Sequence, residues 1–137
     1  MSAETKAIFC RYAEEIWNKR NVDSIDELIA SNFIGRIAGA PDIVGNEGFK
    51  QFFAGVFAAF PDGQSTVEQM IAEGDQLAVR WTFRGTHKGQ YLGIAPTGKY
   101  VTSTTTAIYR IANGKIVEIC GDTDALGLLQ QLGGRSR

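Results

Sequence analysis

The sequence predicts an α+β fold, in which three N-terminal helices pack on a curved antiparallel sheet and a short helix follows at the C-terminal end. Three observations support this prediction. Apolar residues recur with a helical period up to about residue 60, the period changes to that of strands after Gly63, and no helix separates the strands. A chain of 137 residues, 44% of them hydrophobic, is expected to form a single domain over residues 1–137.

Two helices are predicted in the first part of the chain. Between Ala3 and Asn18, apolar residues recur at i, i+4 and i+8 in two neighbouring columns, as on a broad helix face. The columns consist of Ile8, Tyr12 and Ile16, and of Phe9, Ala13 and Trp17. Asp23 is a suitable N-cap for a second, shorter helix, which is expected to end near Ser31.

The third helix has the strongest signal in the sequence. The stretch FIGRIAGAPDIVG before it shows neither period and is predicted to be an irregular connection. From Asn46, five of the eight phenylalanines fall on one helical stripe, which predicts the centre of the core. Pro61 and Gly63 are expected to end this helix in a turn.

Four antiparallel strands are predicted after Gly63. They correspond to QSTVEQMIAE, QLAVRWTFR, YVTSTTTAIYRI and KIVEICGD, with Asn113 and Gly114 as a hairpin turn. A final helix is expected from about Thr123 to Leu132. A strongly bent sheet around helices leaves a pocket, and aromatic side chains are expected to line it: Trp17, Phe33, Phe53, Phe57, Trp81 and Tyr91.

Composition excludes several classes of partner. The 14 basic and 15 acidic residues nearly balance, so neither nucleic acid nor an anionic membrane is an expected partner. No apolar run approaches the roughly 20 residues that cross a bilayer, and the N-terminal stretch lacks the features of a signal peptide, so a cytoplasmic protein is expected. Cys10 and Cys120 have no neighbouring ligand residues; both are expected to be reduced, buried thiols, and no metal or other cofactor is predicted.

Few residues are candidates for catalysis. His87 is the only histidine and lies in a loop whose glycines are expected to shape the backbone; it either leans over the pocket mouth or is simply a hydrogen-bonded loop residue. Asp122 and Asp124 lie where a strand ends and a helix begins. A carboxylate beside an apolar cavity has the raised pKa that acid/base catalysis needs, whereas an aspartate at this point can equally cap the helix. Both interpretations stay open for both aspartates.

Three stretches carry a resemblance to a known family. EGFKQFFAGVFAAFPD, IAEGDQLAVRWTFRGTHKGQYLGIAPTGK and NGKIVE with DALGLLQQLG together resemble the SnoaL-like polyketide cyclases, or ester cyclases, of the nuclear transport factor 2-like superfamily. The resemblance implies a cone-shaped fold with a deep pocket, a homodimer formed through the sheet, and an intramolecular aldol cyclisation of a hydrophobic carbonyl compound without a cofactor. It places the family's acid/base aspartate at Asp124 and a pocket histidine at His87.

The sequence departs from the family pattern at four positions. Gly35 and Arg36 replace residues of an F-V-D-H motif, and Cys120 and Thr123 replace two tryptophans, while Asp122 is an additional acid. These departures predict a pocket of a different shape.

Two other functions fit the same sequence. An epoxide hydrolase-like enzyme, as known in this superfamily, requires an arginine beside Asp122 and Asp124, and Arg80 or Arg36 has the required side chain. Arg80 is otherwise a solvated residue on the outer face of its strand. The third possibility is a non-catalytic module that binds a small hydrophobic molecule or dimerises through the run Thr102 to Thr106.

Overall fold

The computed structural model describes residues 2–38 and 40–133 and confirms the α+β fold. The described helical segments are α1 (Ser2–Arg11), a π-helical segment (Tyr12–Asn18), α2 (Asp23–Leu28), α3 (Gly45–Ala59) and α4 (Ala125–Gln131). The described strands are β1 (Ile29–Ile37), β2 (Ile43–Val44), β3 (Gln64–Glu73), β4 (Gln76–Thr86), β5 (Tyr100–Ala112) and β6 (Lys115–Thr123). These strands form one sheet in the order β2-β1-β6-β5-β4-β3. No helix within the described ranges has the length and apolar character needed to cross a membrane.

The segment predicted to be an irregular connection is instead largely sheet, so that prediction was wrong. The second helix ends at Leu28, before the predicted Ser31, and the chain continues directly into β1. β1 pairs in parallel with β6 and antiparallel with β2, so the sheet is mixed and not wholly antiparallel. Glycine and proline conceal the two-residue period in the sequence, and hydrogen bonds to the distant β6 supply the stability that local propensity does not.

The π-helical segment changes which residues of the first helix share a face. The Lys19 N–H donates to the Glu14 carbonyl, five residues earlier, at 2.8 Å. In an α-helix it would donate to the carbonyl four residues earlier. In an α-helix, Tyr12 and Trp17 would lie roughly 140° apart around the axis. The wider π-helical turn brings residues five apart close to one line, so both side chains face the interior of the domain, where both are buried.

The core lies between the helices and the inner face of the sheet. On α3, the predicted stripe buries Phe49, Phe53 and Val56, whereas Phe52 remains 38% exposed. A smaller apolar cluster at one end of the sheet consists of Ala59, Phe60, Val101, Leu128 and Leu132. There α4 is held against β5, because the Gln131 side-chain amide donates to the Thr102 carbonyl and accepts its N–H, at 2.7 and 2.8 Å.

The outer face of the sheet has an exposed apolar row. Ile71 and Ile108 are 62% and 51% exposed, and Ala78 lies between them in register. In the run from Thr102 to Thr106, the inward residues Ser103 and Thr105 line the interior, so only alternate residues reach this face. Homodimerisation through the outer face stays a prediction.

The two cysteines differ from expectation in their burial. Both are free thiols, but both are exposed. Cys120 occupies an outward position on β6, and Cys10 follows the buried Phe9 on the solvent side of α1. The prediction that both cysteines are buried was therefore wrong.

The loop after β4 depends on a close approach between two backbones. The N–H groups of Lys88 and Gly89 both donate to the Ala59 carbonyl, at 2.8 and 3.1 Å. A Cβ atom at Gly89 would lie 2.3 Å from the Ala58 carbonyl oxygen, a backbone atom that cannot rotate away. This position therefore requires glycine, as the expected shaping of the loop implies.

We expect Gly89→Ala to lower the free energy of unfolding by about 1–3 kcal/mol, because the added methyl group forces the loop away from the end of α3. Gly55→Ala is the matched control, since an added Cβ there meets no atom within 4 Å. It should raise stability by about 0.5–1 kcal/mol, because glycine weakens a helix interior. Urea unfolding followed by circular dichroism measures both changes, and equal stabilities of the two variants would contradict the role of Gly89.

Candidate functional site

A cavity of about 360 Å³ lies between the inner face of the sheet and the helices. The π-helical segment, α3, α4 and the inward residues of β1, β4, β5 and β6 contribute to its wall. Most of the lining is apolar or aromatic, and among the described residues it includes no aspartate, glutamate, lysine, arginine or histidine. Its polar side chains are hydroxyl groups and indoles: Tyr12, Trp17, Ser65, Trp81, Tyr91, Ser103, Thr105, Tyr109 and Thr123.

Four of the six predicted lining residues contribute to this wall: Trp17, Phe33, Trp81 and Tyr91. Phe53 and Phe57 do not, because they pack behind the Trp17 ring, at centroid distances of 5.6 and 5.8 Å. Phe57 also receives the Arg20 guanidinium over its face at 4.2 Å. These two residues therefore support the wall and do not form it.

Asp122 points away from the cavity. Side chains alternate along a strand, and its neighbour Thr123 lines the cavity together with Ile119. Asp122 is exposed on the opposite face, in register with Thr106 of β5. The alternation of β6 thus decides the direction of this carboxylate.

Asp124 is the N-cap of α4. Its Oδ1 accepts the Gly127 N–H at 2.9 Å, and its own N–H donates to the Thr104 carbonyl at 3.0 Å. The side chain is exposed and lies outside the cavity lining. Of the two interpretations, the helix cap therefore fits the position of Asp124. Neither Asp122 nor Asp124 is a buried carboxylate beside the cavity. A catalytic role for either residue stays a prediction.

His87 is completely buried, in contrast to a residue that leans over a pocket mouth. Its Nδ1 accepts the Thr97 N–H at 3.2 Å and lies 3.0 Å from the Thr97 hydroxyl. In the neutral ring the proton is therefore on Nε2, which has no hydrogen-bond partner. The ring packs on Phe60 at 5.7 Å and is absent from the cavity lining, so this histidine holds the loop after β4.

The arginine and aspartates that epoxide hydrolysis requires are not brought together. The Arg36 guanidinium donates to Glu118 at 2.7 Å and lies on the outer face of the sheet. Arg80 is exposed, and neither arginine forms an ion pair with Asp122 or Asp124, all four being described residues. The positions of these residues therefore do not support epoxide hydrolysis. Side chains suited to hold a metal ion do not cluster in threes anywhere in the described part of the chain.

Four polar aromatic residues meet at the cavity wall, and of these only Trp17 and Trp81 were predicted to line it. Tyr12, Trp17, Trp81 and Tyr109 all line the cavity, and four contacts link their rings at centroid distances of 5.8 to 6.5 Å. Burial raises the pKa of the Tyr12 hydroxyl, and contacts with Trp17 and Tyr109 offset part of that rise. Burial also raises the pKa of Tyr109, well above its usual range. The signal available in the sequence was the position of Tyr12 in the apolar column next to that of Trp17.

Comparison with known proteins places this architecture in a family. The model of the SnoaL-like polyketide cyclase family matches residues 7–132. The chain belongs to this family. It is 28% identical over 119 residues to the nogalonic acid methyl ester cyclase of Streptomyces nogalater, and the match covers 85% of this chain and 89% of that protein.

Solved structures of other proteins share the fold. A putative SnoaL-like polyketide cyclase from Jannaschia sp. CCS1 superposes with a TM-score of 0.89 at 23% identity, covering 98% of this chain and 95% of that one. AclR, a putative hydroxylase from Streptomyces galilaeus, has a TM-score of 0.84 at 28% identity, with coverage of 100% and 89%. Both comparisons agree with the cone of helices and curved sheet that the resemblance implied.

The four departures from the family pattern divide between the two faces of the sheet. Gly35 and Thr123 line the cavity, whereas Arg36 and Cys120 point outward. The Thr123 hydroxyl is hydrogen-bonded to the Thr105 hydroxyl at 3.0 Å. Only two of these four replacements therefore alter the cavity itself.

We expect Asp124→Ala to lower the free energy of unfolding by about 1 kcal/mol, because α4 loses its cap. Asp124→Asn should leave stability nearly unchanged, since asparagine caps helices about as well as aspartate. Thermal unfolding measures the difference, with the exposed Asp122→Ala as the control expected to have little effect. Equal losses for the alanine and asparagine variants at position 124 would contradict the capping role.

Proposed function

We propose that this SnoaL-like protein binds a small hydrophobic carbonyl compound in the cavity. The observation that carries the proposal is a wall of apolar and aromatic groups without a charged side chain among the described lining residues. A volume of about 360 Å³ lies within the range of roughly 300–1,000 Å³ that is usual for small-molecule sites. Burial of an apolar ring system supplies the affinity, and the few hydroxyl and indole groups select its oxygen atoms.

Ligand binding is the first proposal, and catalysis the second, because the two candidate aspartates lie outside the cavity lining. An acid/base carboxylate must reach a proton on the bound compound, directly or through one water. Asp122 and Asp124 are exposed outside the lining, and Asp124 is already engaged with a backbone N–H group. The geometry therefore supports a binding site more directly than it supports a reaction.

Aldol-type cyclisation is the second candidate. Membership of the SnoaL-like family and the similarity to a nogalonic acid methyl ester cyclase favour it. In this proposal, Asp124 removes a proton next to a carbonyl, His87 donates to the developing alkoxide, and Asp122 is the alternative base. The rest of the rate enhancement comes from the cavity, which holds the two reacting ends of one molecule close together.

For the binding proposal, we expect 2-acetylnaphthalene to bind to the protein and Ala107→Leu to weaken that binding by about tenfold or more. Ala107 lines the cavity from β5, so the larger side chain occupies space that the ligand needs. Equilibrium dialysis measures both affinities. Ala54→Leu, on the exposed side of α3, is the control and should bind normally. Failure of the wild-type protein to bind, or equal binding by the wild type and the Ala107 variant, would refute the proposal.

For the cyclisation candidate, we expect turnover of nogalonic acid methyl ester to fall about 10² to 10⁴-fold in Asp124→Asn, because the variant keeps the cap but loses the acid/base group. Asp122→Asn and His87→Gln test the other two proposed groups. Asp75→Asn, an exposed aspartate in a turn, is the matched control. Product formation followed by chromatography measures the rates. An inactive wild type, or variants at positions 122, 124 and 87 that are all fully active, would rule this candidate out.

A further inference from the structure

We propose that Tyr12, Trp17, Trp81 and Tyr109 form a subsite for one oxygen atom of the bound compound, a carbonyl or enolate oxygen that accepts hydrogen bonds. The four residues are called the donor cluster below. This inference rests on the proposed binding function and specifies which part of the cavity recognises the ligand.

The donor cluster has more hydrogen-bond donors than acceptors. Each indole contributes one N–H donor and no acceptor, whereas each phenol contributes one donor and can also accept. The N–H groups of Trp17 and Trp81 are buried and have no hydrogen-bond partner. The Trp17 indole lies near the Tyr12 hydroxyl and the Trp81 indole near the Tyr109 hydroxyl, and each offsets part of the rise that burial causes in the pKa of that phenol, as a nearby donor does. Neither contact has the geometry of a hydrogen bond, so both N–H groups lack a partner.

Unpartnered donors of this kind are unusual inside a protein. A buried donor without a partner costs roughly 1–3 kcal/mol, and most buried polar groups are satisfied. Both unpartnered indoles line the same cavity, and Trp17 is 95% buried, with 5% of its surface exposed. An acceptor oxygen on the ligand removes this cost, and an apolar ligand does not.

The rings of the donor cluster lie close together on one part of the cavity wall. The Trp17 and Trp81 ring centroids are 5.9 Å apart, and the Tyr12 ring lies 6.2 Å from that of Trp81. The π-helical segment supplies Tyr12 and Trp17, while β4 and β5 supply Trp81 and Tyr109. One helical segment and two paired strands thus meet at this point of the wall.

The hydroxyl groups of the cluster remain donors at neutral pH. Burial raises the pKa of both Tyr12 and Tyr109, so neither ionises near pH 7. A neutral phenol donates its proton to a carbonyl oxygen, and more strongly to an enolate oxygen, since hydrogen bonds to ionised acceptors are the stronger ones. The cluster therefore favours compounds with an acceptor oxygen, such as a ketone or the enolate formed from it.

The two tryptophans are the only ones in the chain, so ¹⁵N–¹H spectra contain two indole signals, which Trp17→Phe and Trp81→Phe assign. The probes are 2-acetylnaphthalene and 2-isopropenylnaphthalene, which has the same shape but a CH₂ group in place of the carbonyl oxygen. We expect the ketone to move at least one indole proton downfield and the hydrocarbon to produce no such downfield shift. We also expect Trp81→Phe or Tyr109→Phe to weaken ketone binding about fivefold relative to hydrocarbon binding.

Tyr100→Phe is the matched control, because it removes the hydroxyl of an exposed tyrosine that does not line the cavity. It should leave the ratio of the two affinities unchanged. Equal indole shifts with both probes, or equal losses of ketone and hydrocarbon affinity in the four cluster variants, would overturn the subsite while leaving the binding function intact. Failure of the wild type to bind either probe would overturn the binding function itself. Trp17→Phe and Tyr12→Phe provide two further variants if one fails to fold, as judged by circular dichroism.

Discussion

The two-residue alternation of the long strands governs the rest of this structure. Most inward positions on β4, β5 and β6 are buried or line the cavity, and most outward positions are exposed on the opposite face. A shift of one residue would exchange the two faces completely, so burial of the inner face holds the register. The same rule decides which polar groups a ligand meets: Thr105 and Tyr109 face the cavity, whereas Asp122 does not.

The chemistry of the cavity follows from that division. A carboxylate buried there without a partner would be costly, and the described lining contains none. Polarity enters through hydroxyl and indole groups, which remain neutral and cost less to bury. The acids lie at the surface, where Asp124 satisfies the first turn of α4 and Glu118 pairs with Arg36 and Arg110. Belonging to a family of cyclases therefore does not by itself assign a reaction to this chain.

Much of the fold was predictable because its signals are local. The phenylalanine stripe of α3, the alternation of β4 and the Asn113-Gly114 turn each involve residues that are close along the chain, and each was interpreted correctly. The strand β1 was missed because its stability depends on β6, more than 80 residues away along the chain. The site was predicted only in part, since Trp17 and Trp81 were expected at the wall but Tyr12 and Tyr109 were not.

The sequence by itself determined the fold class, the family and the mainly aromatic interior, because periodicity, turn residues and motif order are properties of neighbouring residues. Only the tertiary structure decided what faces the cavity. Asp122 and Asp124 are two residues apart, yet one follows the outward direction of a strand and the other the cap of a helix. Tyr12 and Trp17 reach the cavity together only because a π-helical turn, held by a hydrogen bond between Lys19 and Glu14, rotates them onto one face. Those directions depend on backbone hydrogen bonds and on packing between distant segments, which residue patterns do not encode.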